Sequence, residues 1–471
     1  MNTGSGSFSA IVRNIRTRLT PSRIVALSFF LVITIGGLIL SLPISQAPGV
    51  RVGPLDAFFT STSAVCVTGL VTVTTATSWS IFGKVVILLL IQVGGLSFTT
   101  LFMLVMVQLG RKVTLKARLN LQASFNANDL SGMVKMLLLV IRGTFLAEGI
   151  GAVCLTSFFL GQGMSLSQSA FYGVFHSVSA FCNAGFDLIG EVSFVPYADR
   201  TFFNFVITTL IVLGGIGFTV WRDVYLKIKF RLTPNLKRKI HFSTHSKMAL
   251  VSTAFLLVFG TLFFFINEYS NPGTLGPMPV GEKLLASYFQ SVTLRTAGFF
   301  TISQNAMQEG SKLMSSLLMV IGGSPGGTAG GMKTVTLMVL LLGVWGTLRG
   351  DGRINVFQRS LSVQSLQKAL TVAAAMVFLW FAGSVALSFT ETNAAFPHGA
   401  AEIMFEVASA LGTVGLTTGL TPYLSAAGKI ILILLMYIGR IGPLTLVVSA
   451  SHRTASVSDR IQYPNEDVLI G

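Results

Sequence analysis

Acids are scarce in this chain of 471 residues: 17 Asp and Glu stand against 33 Lys and Arg, a formal charge of +16. A membrane-embedded enzyme would want His, Asp or Glu residues converging within apolar stretches, and the chain offers too few. Cysteine is scarcer still. Cys66, Cys154 and Cys182 all lie in hydrophobic stretches, so no disulfide framework is implied. Charge of either sign makes up only 11% of the residues, while 52% are hydrophobic and the mean hydropathy is +0.73. Such a chain cannot hide its apolar surface in water. A cleavable signal pattern is also missing, because the first apolar run follows about two dozen mostly polar residues and is itself long enough to span.

What is present is a series of apolar runs, each long enough to cross ~30 Å of hydrocarbon. They fall near Ile24 to Leu42, Val85 to Leu109, Met136 to Leu160, Phe202 to Val220, Met248 to Ile266, Leu313 to Leu342, Ala369 to Leu387 and Ile430 to Val448. The basic residues cluster between them. Arg13, Arg16, Arg18 and Arg23 come first, then Arg111, Lys112, Lys116 and Arg118, then Lys227, Lys229, Arg231, Lys237, Arg238 and Lys239. Arg349, Arg353, Arg359 and Lys368 follow, with Arg453 and Arg460 in the tail. If the spans alternate, every cluster faces one side, so the positive-inside rule predicts both termini in the cytoplasm. That placement argues against nucleic acid as the partner of the basic excess. The short basic loops leave no room for a soluble domain, so a nucleotide-sensing or energising module is expected on another chain.

Four glycines, Gly69, Gly185, Gly298 and Gly415, are separated by 116, 113 and 117 residues, the signature of one unit repeated four times. The units are predicted at 1–118, 119–240, 241–353 and 354–471. Each glycine closes a similar segment: Cys66-Val67-Thr68-Gly69, Cys182-Asn183-Ala184-Gly185, Arg295-Thr296-Ala297-Gly298 and Gly412-Thr413-Val414-Gly415. A shorter apolar stretch precedes each segment, near Leu55 to Ala64, Gln168 to Phe181, Glu282 to Thr293 and Ala400 to Leu411. These are too short to cross and predict re-entrant helices. Their C-terminal ends, each carrying about half a negative charge, would favour a cation where the loops meet. The carbonyls beyond them can replace hydration oxygens. The predicted class is therefore an all-α integral membrane protein: four membrane-pore-membrane repeats about one pore, with eight spans and four pore helices. Small-residue helix packing explains any one such segment, but it does not explain four at matched spacing.

These residues resemble the Trk/Ktr/HKT superfamily of cation transporters, and look most like the membrane subunit of the bacterial Ktr potassium uptake system. The most specific stretches are Ser61 to Leu70, Phe181 to Phe186, Tyr288 to Phe299, Leu411 to Leu420 and Gly439 to Thr445, with the tail Ile461 to Gly471. The resemblance implies potassium uptake across the bacterial plasma membrane, one pore per subunit, a homodimer in membrane lipid, and a cytoplasmic nucleotide-binding ring as regulatory partner. It makes Cys66, Val67, Thr68, Gly69, Asn183, Ala184, Gly185, Thr296, Ala297, Gly298, Thr413, Val414 and Gly415 the ion-contacting filter. In the family a serine in place of the first filter glycine goes with sodium permeability, so Gly69 implies potassium selectivity, with sodium the candidate coupling ion. No bound cofactor is implied.

The sixth apolar run is interrupted by Gly322-Gly323-Ser324-Pro325-Gly326-Gly327-Thr328-Ala329-Gly330-Gly331, through which no helix can run. Lys333-Thr334 follows, but the phosphate-loop pattern fails in spacing and in context. A loop here can cross the conduction path and gate it, as the resemblance also implies; the alternative is a rigid kink. Arg440 lies in the otherwise apolar last run, where a charge is costly unless it faces protein or water. It either anchors an ion pair or projects into the pore, and the family favours the pore. Arg295 is expected to bond carbonyls or an acid behind the filter such as Glu406. His176 reads as a packing residue, and Arg142 and Glu148 as neutralising one another or meeting neighbouring helices. The rival mechanism is alternating access, which usually shows inverted repeats, whereas all four units here share one orientation.

Overall fold

The computed structural model describes residues 21–97, 100, 104, 133–232, 241–350, 354–392 and 396–442. The basic clusters at 13–18, 111–118 and 237–239, Arg353, Arg453, Arg460, the stretch 443–445 and the tail 461–471 lie outside them. Fourteen helices of at least twelve residues carry the described architecture: α1 Pro21–Leu40, α2 Pro54–Cys66, α3 Ile81–Leu96, α4 Met133–Gly161, α5 Leu166–Cys182, α6 Thr201–Gly215, α7 Phe218–Leu232, α8 Thr244–Asn267, α9 Val280–Thr293, α10 Glu309–Val320, α11 Thr334–Leu348, α12 Val363–Thr390, α13 Ala400–Gly412 and α14 Ala426–Ile441. A small hairpin, β1 Ile354–Val356 with β2 Arg359–Leu361, joins α11 to α12.

The order long helix, short helix, second helix recurs four times, as α1-α2-α3, α4-α5-α6, α8-α9-α10 and α12-α13-α14. The first member of each trio, α1, α4, α8 and α12, is long and apolar enough to cross a membrane. Their exposed leucines, valines and phenylalanines suit contact with lipid tails. The short members, 13, 17, 14 and 13 residues long, are almost wholly buried in their C-terminal halves. Hydroxyls weld three of the four short helices to the long one before them: Ser61 Oγ donates to Ile33 O (2.8 Å), Ser177 Oγ to Glu148 O (2.7 Å) and Ser291 Oγ to Leu257 O (2.8 Å). Glycine opposite each serine, Gly36, Gly151 and Gly260, lets the helices come that close.

Two charged pairs tie neighbouring units together where the short helices begin. Lys312 of α10 meets Glu402 of α13 at 2.6 Å, and Lys429 of α14 meets Asp56 of α2 at 2.7 Å. The second pair brings the end of the chain back to its beginning, which closes the arrangement into a ring.

The third members depart from the expected continuous spans. The run Phe202 to Val220 is not one helix: α6 stops at Gly215 and α7 leaves it at 98°. α3 and α14 likewise end at Ser97 and Gly442, both at positive φ (68° and 88°). α10 stops at Val320, as the glycine-rich run predicts. The cause is chemical. Paired glycines, Gly94-Gly95, Gly214-Gly215 and Gly322-Gly323, stand at three of the breaks and Gly439-Arg440 at the fourth, and the carbonyls of Gly94, Gly95, Gly214, Gly215 and Gly323 accept from other parts of the chain.

Candidate ion-selective pore

The four glycine segments share one unusual backbone. Val67, Asn183, Thr296 and Thr413 sit at φ 57°, 59°, 70° and 53°, and Gly69, Gly185, Gly298 and Gly415 at 97°, 70°, 84° and 98°. Positive φ at two positions within three residues turns peptide planes away from the helix course, so that their carbonyls can face one side. Three of the four non-glycine residues are β-branched, for which this region is an outlier. Each costs on the order of 1–3 kcal/mol, and strain of this kind gathers at functional sites.

The segments meet head to neighbour around a closed ring. A Cβ added to Gly69 would lie 2.6 Å from the carbonyl oxygen of Ala184, one added to Gly185 2.9 Å from that of Ala297, and one added to Gly298 2.5 Å from that of Val414; at Gly415 it would overlap the carbonyl of Thr68. Unit one thus touches two, two touches three, three touches four and four touches one. Only a residue without a Cβ allows backbones this near.

Each short helix delivers its segment by a C-terminal turn. In units one, two and four the helix ends three residues before the glycine, and the next N–H groups bond back in a Schellman pattern: Thr68 N to Ser63 O (2.8 Å), Ala184 N to Ser179 O (2.7 Å) and Val414 N to Ser409 O (2.8 Å). Ser63 and Ser409 also accept from the N–H of Gly69 and Gly415 at 3.0 Å. Unit three differs, because α9 ends five residues before Gly298 and Ala297 N bonds to Thr293 O instead (2.9 Å). Arg295 stands in this altered turn. It does not meet Glu406: its guanidinium donates to Thr253 Oγ1 of α8 at 3.2 Å. Glu406 is engaged elsewhere, by the hydroxyls of Thr417, Thr418 and Thr421 and the N–H of Thr418. Glu406 is satisfied by hydroxyls close to it in its own unit, while the Arg295 guanidinium is turned toward α8.

Beneath the ring lie the breaks of the third helices. A Cβ on Gly94, Gly214 or Gly439 would overlap the carbonyl of Val65, Phe181 or Leu411, the same residue of each unit's short helix. In unit three, Gly322 lies instead against Gly330, because residues 322–331 form an excursion. Ile321 and Met332, its two ends, pair in parallel, so the chain leaves and returns to one place; a simple kink would carry the ends apart. Ser324 N bonds to Gly215 O (2.9 Å), Thr328 N to Gly214 O (3.1 Å), and Phe218 N to Gly326 O (2.9 Å). The loop therefore occupies the break in unit two. Its far side rests on the filter itself, with Gly330 against the Thr413 side chain and Gly331 beside the carbonyl of Gly412. Lys333 folds back to donate to Ala329 O at 2.6 Å.

Arg440 takes the place that glycine holds in the other three units. Its guanidinium donates to Thr328 O in the loop and to Gly94 O and Gly95 O at the break in unit one. Three carbonyls hold it, and among the described residues no acid pairs with it. Glu148 accepts from Gln92 Nε2 (3.3 Å) and faces Cys182 Sγ (3.8 Å), whereas Arg142 is exposed. The second alternative for these two thus holds: Glu148 meets neighbouring helices and Arg142 leaves it unpaired.

Two features escaped sequence reading. Of the left-handed residues two before each glycine, Val67, Thr296 and Thr413 carry β-branched side chains that give no hint of positive φ, and only Asn183 is of a type that favours it. A glycine at each of the four breaks was visible 24 to 29 residues beyond each filter glycine, but inside apolar runs it looks like ordinary helix packing.

A fourfold ring of strained carbonyls under short buried helices, set among membrane-length helices, defines a pore-type cation transporter. The chain belongs to the TrkH family of cation transport proteins, which it matches over residues 13–459, and it is a multi-pass membrane transporter of the Trk/Ktr group and not a catalyst. It is 42% identical to the Ktr system potassium uptake protein B of Bacillus subtilis across 96% of this chain and 97% of that protein. To the potassium/sodium uptake protein NtpJ of Enterococcus hirae it is 38% identical across 98% and 99%. The crystal structure of the potassium transporter TrkH from Vibrio parahaemolyticus superposes with a TM-score of 0.65 at 19% identity, over 90% of this chain and 84% of that one, a likeness of fold.

Proposed function

We propose that the protein takes up potassium across the bacterial plasma membrane through one pore, with the carbonyls of Val67 to Gly69, Asn183 to Gly185, Thr296 to Gly298 and Thr413 to Gly415 as its selectivity filter. The observation that carries this reading is the closed circuit of glycines, each against the next unit's carbonyl. A ring made by backbone contact has a fixed width, and fixed width is what distinguishes potassium from the smaller sodium. The four units are 1–118, 119–240, 241–353 and 354–471, both termini are cytoplasmic, and the short helices begin on the outer side.

Residues 322–331 act as the gate. They lie under the filter, they bond across two other units, and Arg440 and Lys333 hold them there. A guanidinium at this depth also opposes cations, since unit charges a few ångströms apart interact by roughly 4 kcal/mol at an effective dielectric of ~20. Opening requires the loop to give up the carbonyls of Gly214 and Gly215 and the N–H of Phe218 together. A homodimer and a cytoplasmic nucleotide-binding ring, the partners implied by the Ktr resemblance, would supply that force. Sodium dependence is part of the same reading, supported by the likeness to the potassium/sodium uptake protein of Enterococcus hirae.

Rubidium flux into proteoliposomes of the purified protein, with and without external sodium and with and without excess potassium, tests it. Uptake that saturates and is displaced by potassium but not by equimolar sodium is expected; flux indifferent to potassium would overturn it.

A further inference from the structure

We infer that His176 is a selectivity-determining positioning residue, a strut that props the outer end of the second filter segment, and that Glu406 is its counterpart in the fourth. The inference rests on the filter reading above and deepens it. His176 stands nine residues before Gly185, and Glu406 nine before Gly415. From these matched places on α5 and α13 each side chain reaches the main chain three residues beyond its glycine. Leu188 N donates to His176 Nε2 at 3.1 Å, and Thr418 N donates to Glu406 Oε1 at 2.9 Å.

The chemistry at His176 is fixed by its partners. A backbone N–H can only donate, so Nε2 must be the bare nitrogen. The ring proton therefore sits on Nδ1, which donates to Tyr172 O at 2.7 Å, one turn back on α5. Both nitrogens are used, and Phe159, Tyr172, Phe175 and Phe194 enclose the ring. Packing alone would need neither bond. The imidazole is a rigid rod between a helix turn and the filter's outer end.

Units one and three have no such strut. Thr60, at the matched place in α2, spends its hydroxyl on Asp56 O (2.8 Å), and Phe289 in α9 has nothing to offer. Correspondingly, the hydroxyls of Thr72 and Thr301, three residues past Gly69 and Gly298, have no partner among the described residues. This brace three residues past the glycine is thus confined to units two and four, which face each other; units one and three are tied closer in, by Gly69 N to Ser63 Oγ at 3.0 Å and by Thr293 Oγ1 to Phe299 O at 2.6 Å. Because each glycine leans on the next unit's carbonyl, the two segments propped at their outer ends also bear on the two that are not. The width of the ring depends on His176 although it lies far from any ion.

The test compares His176→Phe, which keeps an aromatic ring but offers no acceptor, with His176→Gln, which restores one, and with Gly185→Ser as a control on the filter itself. The readouts are potassium KM, maximal uptake and potassium-over-sodium discrimination in proteoliposomes. H176F is expected to lower discrimination about five- to tenfold, the scale of one lost hydrogen bond, mainly through KM, and H176Q to recover at least half of that loss. Unchanged discrimination in H176F, or equal losses in both variants, overturns the strut. If G185S also leaves discrimination intact, it is the filter reading that fails. Should H176F not accumulate, replacing Leu188 by its α-hydroxy acid removes only the N–H; the same loss is expected, and normal discrimination overturns the proposal.

Discussion

The filter ring and the ring of breaks beneath it are built by the same four units, yet the first is nearly fourfold and the second is not. Above, each glycine does one job, the close approach to the next unit's backbone. Below, three units bring a glycine against their own short helix, while unit three extrudes a ten-residue loop and unit four substitutes Arg440 for a glycine. On the proposed function, the nearly fourfold layer selects the ion and the layer with one differing element controls its passage.

Four changes break or sharpen this contrast. The largest effect belongs to the symmetric ring. In Gly69→Ser the added Cβ must stand 2.6 Å from Ala184 O at a φ of +97°, so discrimination against sodium should fall at least about tenfold on the scale of a kilocalorie or two of lost ligand geometry, with a raised potassium KM. Paired potassium and sodium uptake at equal membrane level checks it, and unchanged selectivity would sink the idea of a fixed ring. Deleting Gly326 to Gly331 attacks the asymmetric layer instead. It should raise maximal uptake several-fold, roughly the effect of removing one to two net hydrogen bonds, with KM nearly constant. A lower maximal flux would mean that the loop is scaffold.

Arg440→Gln should have a smaller effect in the same direction. It frees Thr328 O from the charge but leaves the loop's bonds to Gly214 and Gly215, so maximal flux rises more than KM shifts. If the variant only fails to accumulate, the guanidinium is an anchor and not a latch. The smallest effect concerns the outer mouth. Asp187 is the one acid within five residues past any filter glycine. Burial pushes its carboxyl up to about 6, against the N–H groups of Gly190 and Ile189 that favour the charged form. A carboxyl raised in this way carries its charge above about pH 6 and loses it as pH falls through that value. Potassium KM should therefore rise about twofold when outside pH drops from 7 to 5, a fraction of a kilocalorie for one screened charge, and Asp187→Asn should be flat. An equal pH response in both would assign the titration elsewhere.

How much of this was legible in the sequence divides along the same line. The filter could be found because periodicity survives there: four glycines, four short apolar stretches, similar spacing. The glycine-rich break in unit three was legible from composition alone. The breaks in the other units were not, because a helix-ending Gly-Gly pair and a helix-packing one have the same letters, and the choice depends on whether a neighbouring loop claims the freed carbonyls. Arg295 was misplaced for a related reason. Its partner depends on a two-residue change in where α9 ends, which hydropathy does not register. The reach of His176 to Leu188 was likewise hidden, since a histidine among aromatics looks like packing until its two nitrogens are traced.

Arg440 also shows what covalent linkage of the units makes possible. Were the ring assembled from four identical chains, any residue placed at that position would appear four times, and four guanidinium groups around one axis would repel each other and shut out every cation. Joining the units end to end frees each position to mutate alone. One copy of a charge can then be set against three glycines, and its strength adjusted in single steps by inheritance.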